Sequence, residues 1–166
     1  MKTTQIICDI LQSELGLDPG QVMTYNQRFP IPPCNGVIIT VGFVGRTAYS
    51  NTNRQSSDGL NQEQALACAE LLSVNIMSGN QSSNDLYPFV VMALNSTYSE
   101  QTQDKYQFRI GIIPTNASDT SFLEETTQVT RQTVTLQCLR SYSKIKAIDY
   151  YDTFTDEILT EQGVLE

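Results

Sequence analysis

The stretch Gln128–Tyr142, QVTRQTVTLQCLRSY, decides the fold. Val134, Leu136, Cys138 and Tyr142 fall on one face, and Arg131, Thr133, Thr135, Gln137 and Ser141 on the other. Period-2 alternation of this kind marks a strand with one face on a core and the other toward water or a partner. Arg140 is the one charge on the apolar face, near the strand end. A second strand-like run, Lys144–Tyr151, follows at once, so the reading is an antiparallel pair turning near Ser141–Ser143. No Asn-Gly or Asp-Gly is present to fix that turn.

Working outward, three further segments read as strands. Gly36–Phe43 is apolar on both faces and belongs in the middle of a sheet. Glu63–Ser78 opens with helix-favouring Ala and Leu, but Leu72, Val74 and Ile76 alternate. Leu66 and Cys68 extend that face backward, interrupted by Glu70, and the whole reads as one long strand. Tyr106–Pro114 places Phe108, Ile110 and Ile112 on one face and Arg109 on the other.

Two segments read as helices. Thr3–Leu15 carries a stripe of Ile6, Ile7, Ile10, Leu11 and Leu15, with Thr3 or Thr4 as cap and Gly16 at the left-handed end position. Asp85–Ser99 has Asp85 as cap, Pro88 in the first turn, and Phe89, Val90, Ala93, Leu94 and Thr97 as its buried stripe. Prolines 30, 32 and 33 keep the approach to the Gly36 strand extended and irregular. Glu100–Lys105 reads as a polar link and Thr115–Thr126 as a connection.

The expected fold class is therefore α+β: a mostly antiparallel sheet with two helices packed on one face and a long loop or hairpin arm. A single domain over residues 1–154 contains the long polar segment 44–62. Residues 155–166 form an acidic C-terminal tail.

Composition restricts function. The 166 residues carry a net charge of −8, which disfavours specific nucleic-acid binding. There is no histidine, so the commonest general base and metal ligand is missing. Cys8, Cys34, Cys68 and Cys138 make no CxxC pair. Three of them sit in apolar surroundings, which fits small core residues in a reducing cytosol. No run approaches the ~20 apolar residues of a membrane span, and the acidic N-terminal pattern is not that of a signal peptide. The sequons at Asn80, Asn95 and Asn116 carry no weight without secretion.

No nucleophile elbow, P-loop or dinucleotide fingerprint is present. Asp149 and Asp152 beside Lys144 and Lys146 read as a surface charge cluster rather than a carboxylate pair. The expectation is a protein that is not an enzyme and takes no cofactor or metal.

The layout, with the phrases YNQRFPIPP (25–33) and DTSFLEETTQVTRQTVTLQCLRSY (119–142), resembles the neck or tail-terminator proteins of tailed bacteriophages over roughly Ile6–Phe154. The resemblance implies a structural virion protein, made in the host cytoplasm. Such a protein forms a homo-oligomeric ring of about six copies that ends tail growth and joins the tail-tube protein to the head-connector protein. DNA passes through the lumen without being held. A tail-tube or head-completion protein of related fold is the alternative, and a small acid-dependent enzyme or ligand-binding domain a more distant one. The candidate interface residues are Arg46, Tyr49, Asn53 and Arg54 on the 44–62 segment and Arg131 on the polar face of the 128–142 strand. That segment is either an arm or extended hairpin reaching a neighbouring subunit, or a surface loop.

Overall fold

The structure, a computed structural model, describes residues 2–25, 36–55, 61–80, 82–111, 117–124 and 127–147. The fold is α+β. In chain order it comprises α1 (Thr3–Leu15), β1 (Val22–Thr24), β2 (Val37–Gln55), β3 (Asn61–Ser78), α2 (Ser82–Leu94), α3 (Thr97–Tyr106), β4 (Phe108–Ile110), β5 (Ser118–Asp119), β6 (Phe122–Glu124) and β7 (Thr127–Ala147). The sheet runs β1-β2-β3-β7-β4, with β5 and β6 also paired to β7. All pairings are antiparallel except β1 with β2.

The 128–142 stretch lies inside that order, between β3 and β4, with one face buried as its alternation requires. Val134, Leu136 and Cys138 are fully buried beside Leu72, Val74 and Ile76 of β3 and Ile39 and Val41 of β2. Ile6, Ile7, Ile10 and Leu11 of α1 and Val90, Ala93 and Leu94 of α2 close over them in one core. A smaller cluster of Ile38, Met77 and Val129, with Met23 against it, forms separately. α1 ends as its sequence dictates. Gly16 takes φ 60°, and the Gly16 and Leu17 amides both donate to the Gln12 carbonyl, satisfying an otherwise orphaned acceptor.

Several elements differ from the sequence expectation. No turn forms at Ser141–Ser143: β7 is one strand to Ala147, and β3 pairs with it in unbroken register from Asn61 to Ser78. Without residues that favour positive φ, nothing in that trio reverses the chain, and alternation carries on. The 44–62 segment is strand up to Gln55 and again from Asn61, an extended hairpin whose residues 56–60 lie outside the described set.

Among the described residues three helices are present where two are expected. α2 starts at Ser82, so Asp85 is in its first turn and Pro88 lies inside the helix. Phe89 and Thr97 are exposed, and the buried positions are Ser83, Val90, Ala93 and Leu94. The supposed polar link is α3. Its start is set by Ser96, whose hydroxyl accepts from the Ser99 amide at 3.1 Å. Its inward side is polar: Gln103 accepts from the Ile110 amide at 2.9 Å and donates to Ser99, which donates in turn to the Leu94 carbonyl. A helix that buries hydrogen-bonded side chains leaves no apolar period to read. Ser96→Ala is expected to cost about 1 kcal/mol in chemical denaturation, the ordinary value of an N-cap.

Thr3 and Thr4 do not cap α1. Lys2 occupies the cap position without a side-chain bond, and Thr3 is buried with its hydroxyl directed elsewhere. The Tyr106–Pro114 strand shortens to Phe108–Ile110, since Tyr106 ends α3 and residues 112–116 lie outside the described set. Inside Thr115–Thr126, β5 and β6 pair with β7. Cys34, most of the Pro-rich approach, residues 148–151 of the second run and the acidic tail also lie outside the described residues. Among the described residues no helix is long and apolar enough to cross a membrane.

Candidate functional site

The lengths of β2, β3 and β7 create two features: an arm, and a cleft at its root. Beyond Phe43, β2, β3 and β7 continue together as a three-stranded antiparallel ribbon toward Gln55, Asn61 and Ala147. Among the described residues, β1 pairs with β2 only from Ile39 to Val41, and β4 pairs with β7 only from Phe108 to Ile110. Among the described residues, both outer strands of the ribbon therefore present unpaired edges. Residues 49–55 and 143–147 are exposed on both faces. The ribbon displays Tyr49 and Ile145, 60% and 71% exposed, with Phe43 and Val44 at its root. Isolated exposed apolar residues are ordinary; here four of them share one ribbon.

Two bulges shape the ribbon. Between Phe43 and Gly45 the register with β3 slips by one, so that Arg46 stands opposite Glu70. Without that slip Gly45 would take the place, and Arg46 would project from the other face. The second slip, between Ala48 and Ser50, leaves Tyr49 as the extra residue.

The first bulge assembles a polar cluster under the N-terminus of α1. Glu70 is 2% exposed. Its Oε1 accepts from Arg46 Nη2 at 2.6 Å, Arg46 Nε at 3.1 Å and the Tyr142 hydroxyl at 2.6 Å. Its Oε2 accepts from the Thr3 hydroxyl at 2.5 Å, and Arg140 Nη1 donates to that same hydroxyl at 3.0 Å. The Tyr142 ring has the Arg46 guanidinium 5.1 Å and the Arg140 guanidinium 5.2 Å from its centroid, within cation–π range.

Burial pushes the Glu70 carboxyl up. The hydrogen bonds from Thr3, Tyr142 and Arg46, with the charge of Arg46, outweigh that and hold it below the ordinary 4.5. Burial, the bond to Glu70 and its charge raise the Tyr142 phenol. The bond to Glu70 raises Arg46 further, so the pair is charged at neutral pH.

The cluster floors a cleft of about 830 Å³, walled by Tyr25, Phe43, Val41 and the first turn of α1. Gly42 allows this wall: a Cβ there would meet Ser73 Oγ at 2.8 Å and Tyr25 Cβ at 3.2 Å. Among the described residues, Lys2, Arg46, Arg140 and Glu70 are the charged groups that line the cleft. In a chain of net charge −8, this is a local concentration of positive charge.

The structure separates the residues selected from sequence. Arg46 sits in the cleft, while Tyr49, Asn53 and Arg54 lie exposed along the ribbon, with Arg54 opposite Glu63. Arg131 is elsewhere: its Nε and Nη2 bind Asn75 Oδ1 at 3.2 and 2.8 Å, satisfying an amide that is 1% exposed. Sequence reasoning did not select Thr3, Glu70, Arg140 or Tyr142. Yet Glu70 interrupts one apolar face and Arg140 another, and a charge on an inward face is the signal of a buried polar cluster.

Burial, with Asp9 beside one and Glu70 beside the other, pushes the Cys8 and Cys138 thiols up to about 12. Among the described residues no three acidic or cysteine side chains gather as a metal site. No protein-family model matches the chain, and no curated protein matches it significantly.

Proposed function

We propose that this chain is a structural subunit that closes through its arm into a ring of copies. Its role would be that of the phage tail-terminator proteins its sequence resembles. In that reading a ring of about six copies ends the tail tube and joins it to the head connector, in the virion, with no chemical turnover. The observation that carries the proposal is the ribbon of β2, β3 and β7. Among the described residues it has open edges on both outer strands, and it carries exposed apolar side chains, a geometry suited to strand addition between copies. The net charge of −8 suits a lumen that passes DNA without holding it.

Molar mass by light scattering over a range of concentrations, followed by negative-stain imaging, tests the reading. Rings of one size, or monomers that close into rings on tail tubes, support it. A monomer at every concentration that ignores tubes overturns it, and open-ended polymers replace it with a tube protein. Arg54→Glu tests the arm itself. It is expected to reduce ring formation while changing unfolding free energy by less than about 1 kcal/mol, because Arg54 is exposed and only faces Glu63 across the strands. Undiminished ring formation would remove the outer arm from the interface.

A further inference from the structure

We propose that the arms join head to tail: the edge of β7 at Ser141–Lys146 takes Asn51–Arg54 of β2 from the next copy as a parallel strand. This rests on the ring reading and deepens it by naming the two edges and their polarity. Among the described residues neither stretch has an outer strand beside it. β4 reaches along β7 only to Arg140, and β1 along β2 only to Val41. Gln107, at φ 52°, sets the first limit, because it turns the chain out of α3 and into β4 only at Phe108. Backbone phase then selects residues. The Gln137 carbonyl faces outward to the Gly111 amide and the register with β3 is unbroken, so Ser141, Ser143 and Ile145 also turn their polar groups outward. On β2 the Ile39 amide donates outward to the Gln21 carbonyl at 2.7 Å, so odd residues face outward as far as Phe43. Each register slip moves that phase by one residue: to Arg46 and Ala48 after the first, and to Asn51 and Asn53 after the second. The slips interrupt the β2 edge as far as Ser50 and leave Asn51–Arg54 as regular strand.

Polarity and charge select the partner edge. β2 and β7 both run antiparallel to β3, hence parallel to each other. Copies repeated around one axis, sheet continuing into sheet, therefore set β7 of one beside β2 of the next with both strands running the same way. Thr52 and Ser143 share one face of the ribbon, each opposite Ala65, so Ser143 can bond to the outward groups of Asn51 and Asn53 with the faces matched. Joining like edges fails for β7. A two-fold axis makes two β7 strands antiparallel and keeps Lys144 and Lys146 of both on one side. The fullest overlap sets Lys144 opposite Lys144, and a shift of the centre to Ile145 sets Lys144 opposite Lys146, like charges face to face. Copies joined only through β2 stop at dimers, so a ring uses the unlike edges. There Lys144 meets the neutral amides of Asn51 and Asn53 on its own face, while Arg54 lies on the other face opposite Glu63.

Two variants of the full chain test this, each blocking one edge at an outward amide: Asn53→Pro on β2 and Ser143→Pro on β7. Native mass spectrometry and light scattering are run on each alone, on their equal mixture and on wild type. The expected result is rings for wild type, a monomer for each variant, and a one-to-one dimer of doubled mass for the mixture, in which one unlike joint remains open. A homodimer of either variant would overturn the proposal, because an edge would then be pairing with its own kind. A mixture that stays monomeric beside wild-type rings overturns it too and leaves the ring reading standing, whereas a wild-type monomer at every concentration removes both. Cysteine pairs guard against a proline that merely unfolds the arm. In a Cys34→Ser background, Ile145→Cys mixed with Thr52→Cys or Arg54→Cys and oxidised should give at least about fivefold more disulfide than Ile145→Cys alone. The reverse order, or equal yields, overturns the head-to-tail joint whatever the proline variants do.

Discussion

Glu70→Ala is expected to lower the unfolding free energy by about 3 kcal/mol at neutral pH, the largest effect of any polar substitution here. The cost has identifiable sources. Thr3 is 4% exposed and loses its acceptor, and the Tyr142 hydroxyl loses a 2.6 Å bond. A void also opens where a buried side chain stood. Arg46 contributes less, because 47% of its side chain reaches water and the freed charge can be solvated. Glu70→Gln keeps the shape and should cost about half as much.

The pH dependence separates charge from packing. Glu70 titrates below its ordinary 4.5 in the folded state, so its stabilisation is fully present above the unfolded value and is lost as pH falls through the folded one. The gap between wild type and Glu70→Gln, followed by urea denaturation, should be widest near neutrality and close in acid. A gap that persisted undiminished in strong acid would mean that shape, rather than ionisation, holds the cluster.

Ser143→Pro should leave the monomer folded and weaken association at least about tenfold, the equivalent of ~1.4 kcal/mol. The direction of each amide on β7 follows from its neighbours. The Gly111 amide donates to the Gln137 carbonyl at 2.7 Å, so odd-numbered residues of β7 turn their polar groups away from β3. The β3–β7 register is unbroken, so Ser143 does the same at the open edge. Proline there removes an outward donor and blocks an incoming strand without touching the β3 ladder. Lys144→Pro is the contrast: it strikes the inward-facing amide and should destabilise the arm itself. Equal ring formation by Ser143→Pro and wild type in sedimentation velocity would exclude strand addition along this edge.

These two sites were unequally visible in the sequence. Alternation made the sheet plain: Val134, Leu136, Cys138, Leu72, Val74 and Ile76 are all buried on one face, as a period of two requires. The same signal fails at Ser141–Ser143, where polar residues suggest a turn although they continue the strand. It fails again at α3, where Ser99, Thr102 and Gln103 are the buried side and carry no hydrophobic period. The cleft was harder still. Glu70 and Arg46 are 24 residues apart, and a single bulge at residues 43–45 decides whether they meet. A bulge has no composition of its own beyond a glycine, and Gly45 has no distinguishing neighbour. Arg131 shows the converse: on a polar face it passes for a partner-seeking cation, whereas it serves Asn75.

β7 spans 21 residues, its middle within the core and its last residues, among the described residues, at an unpaired edge. Backbone amides along one strand therefore report on two different equilibria. Those near Val134–Cys138 exchange hydrogen for deuterium only when the whole domain opens, while those near Ser143–Ala147 exchange whenever the ribbon frays. Assembly should slow exchange at the second end and leave the first unchanged. The strand thus carries its own internal reference, with its core half calibrating how much protection its outer half gains from a neighbour.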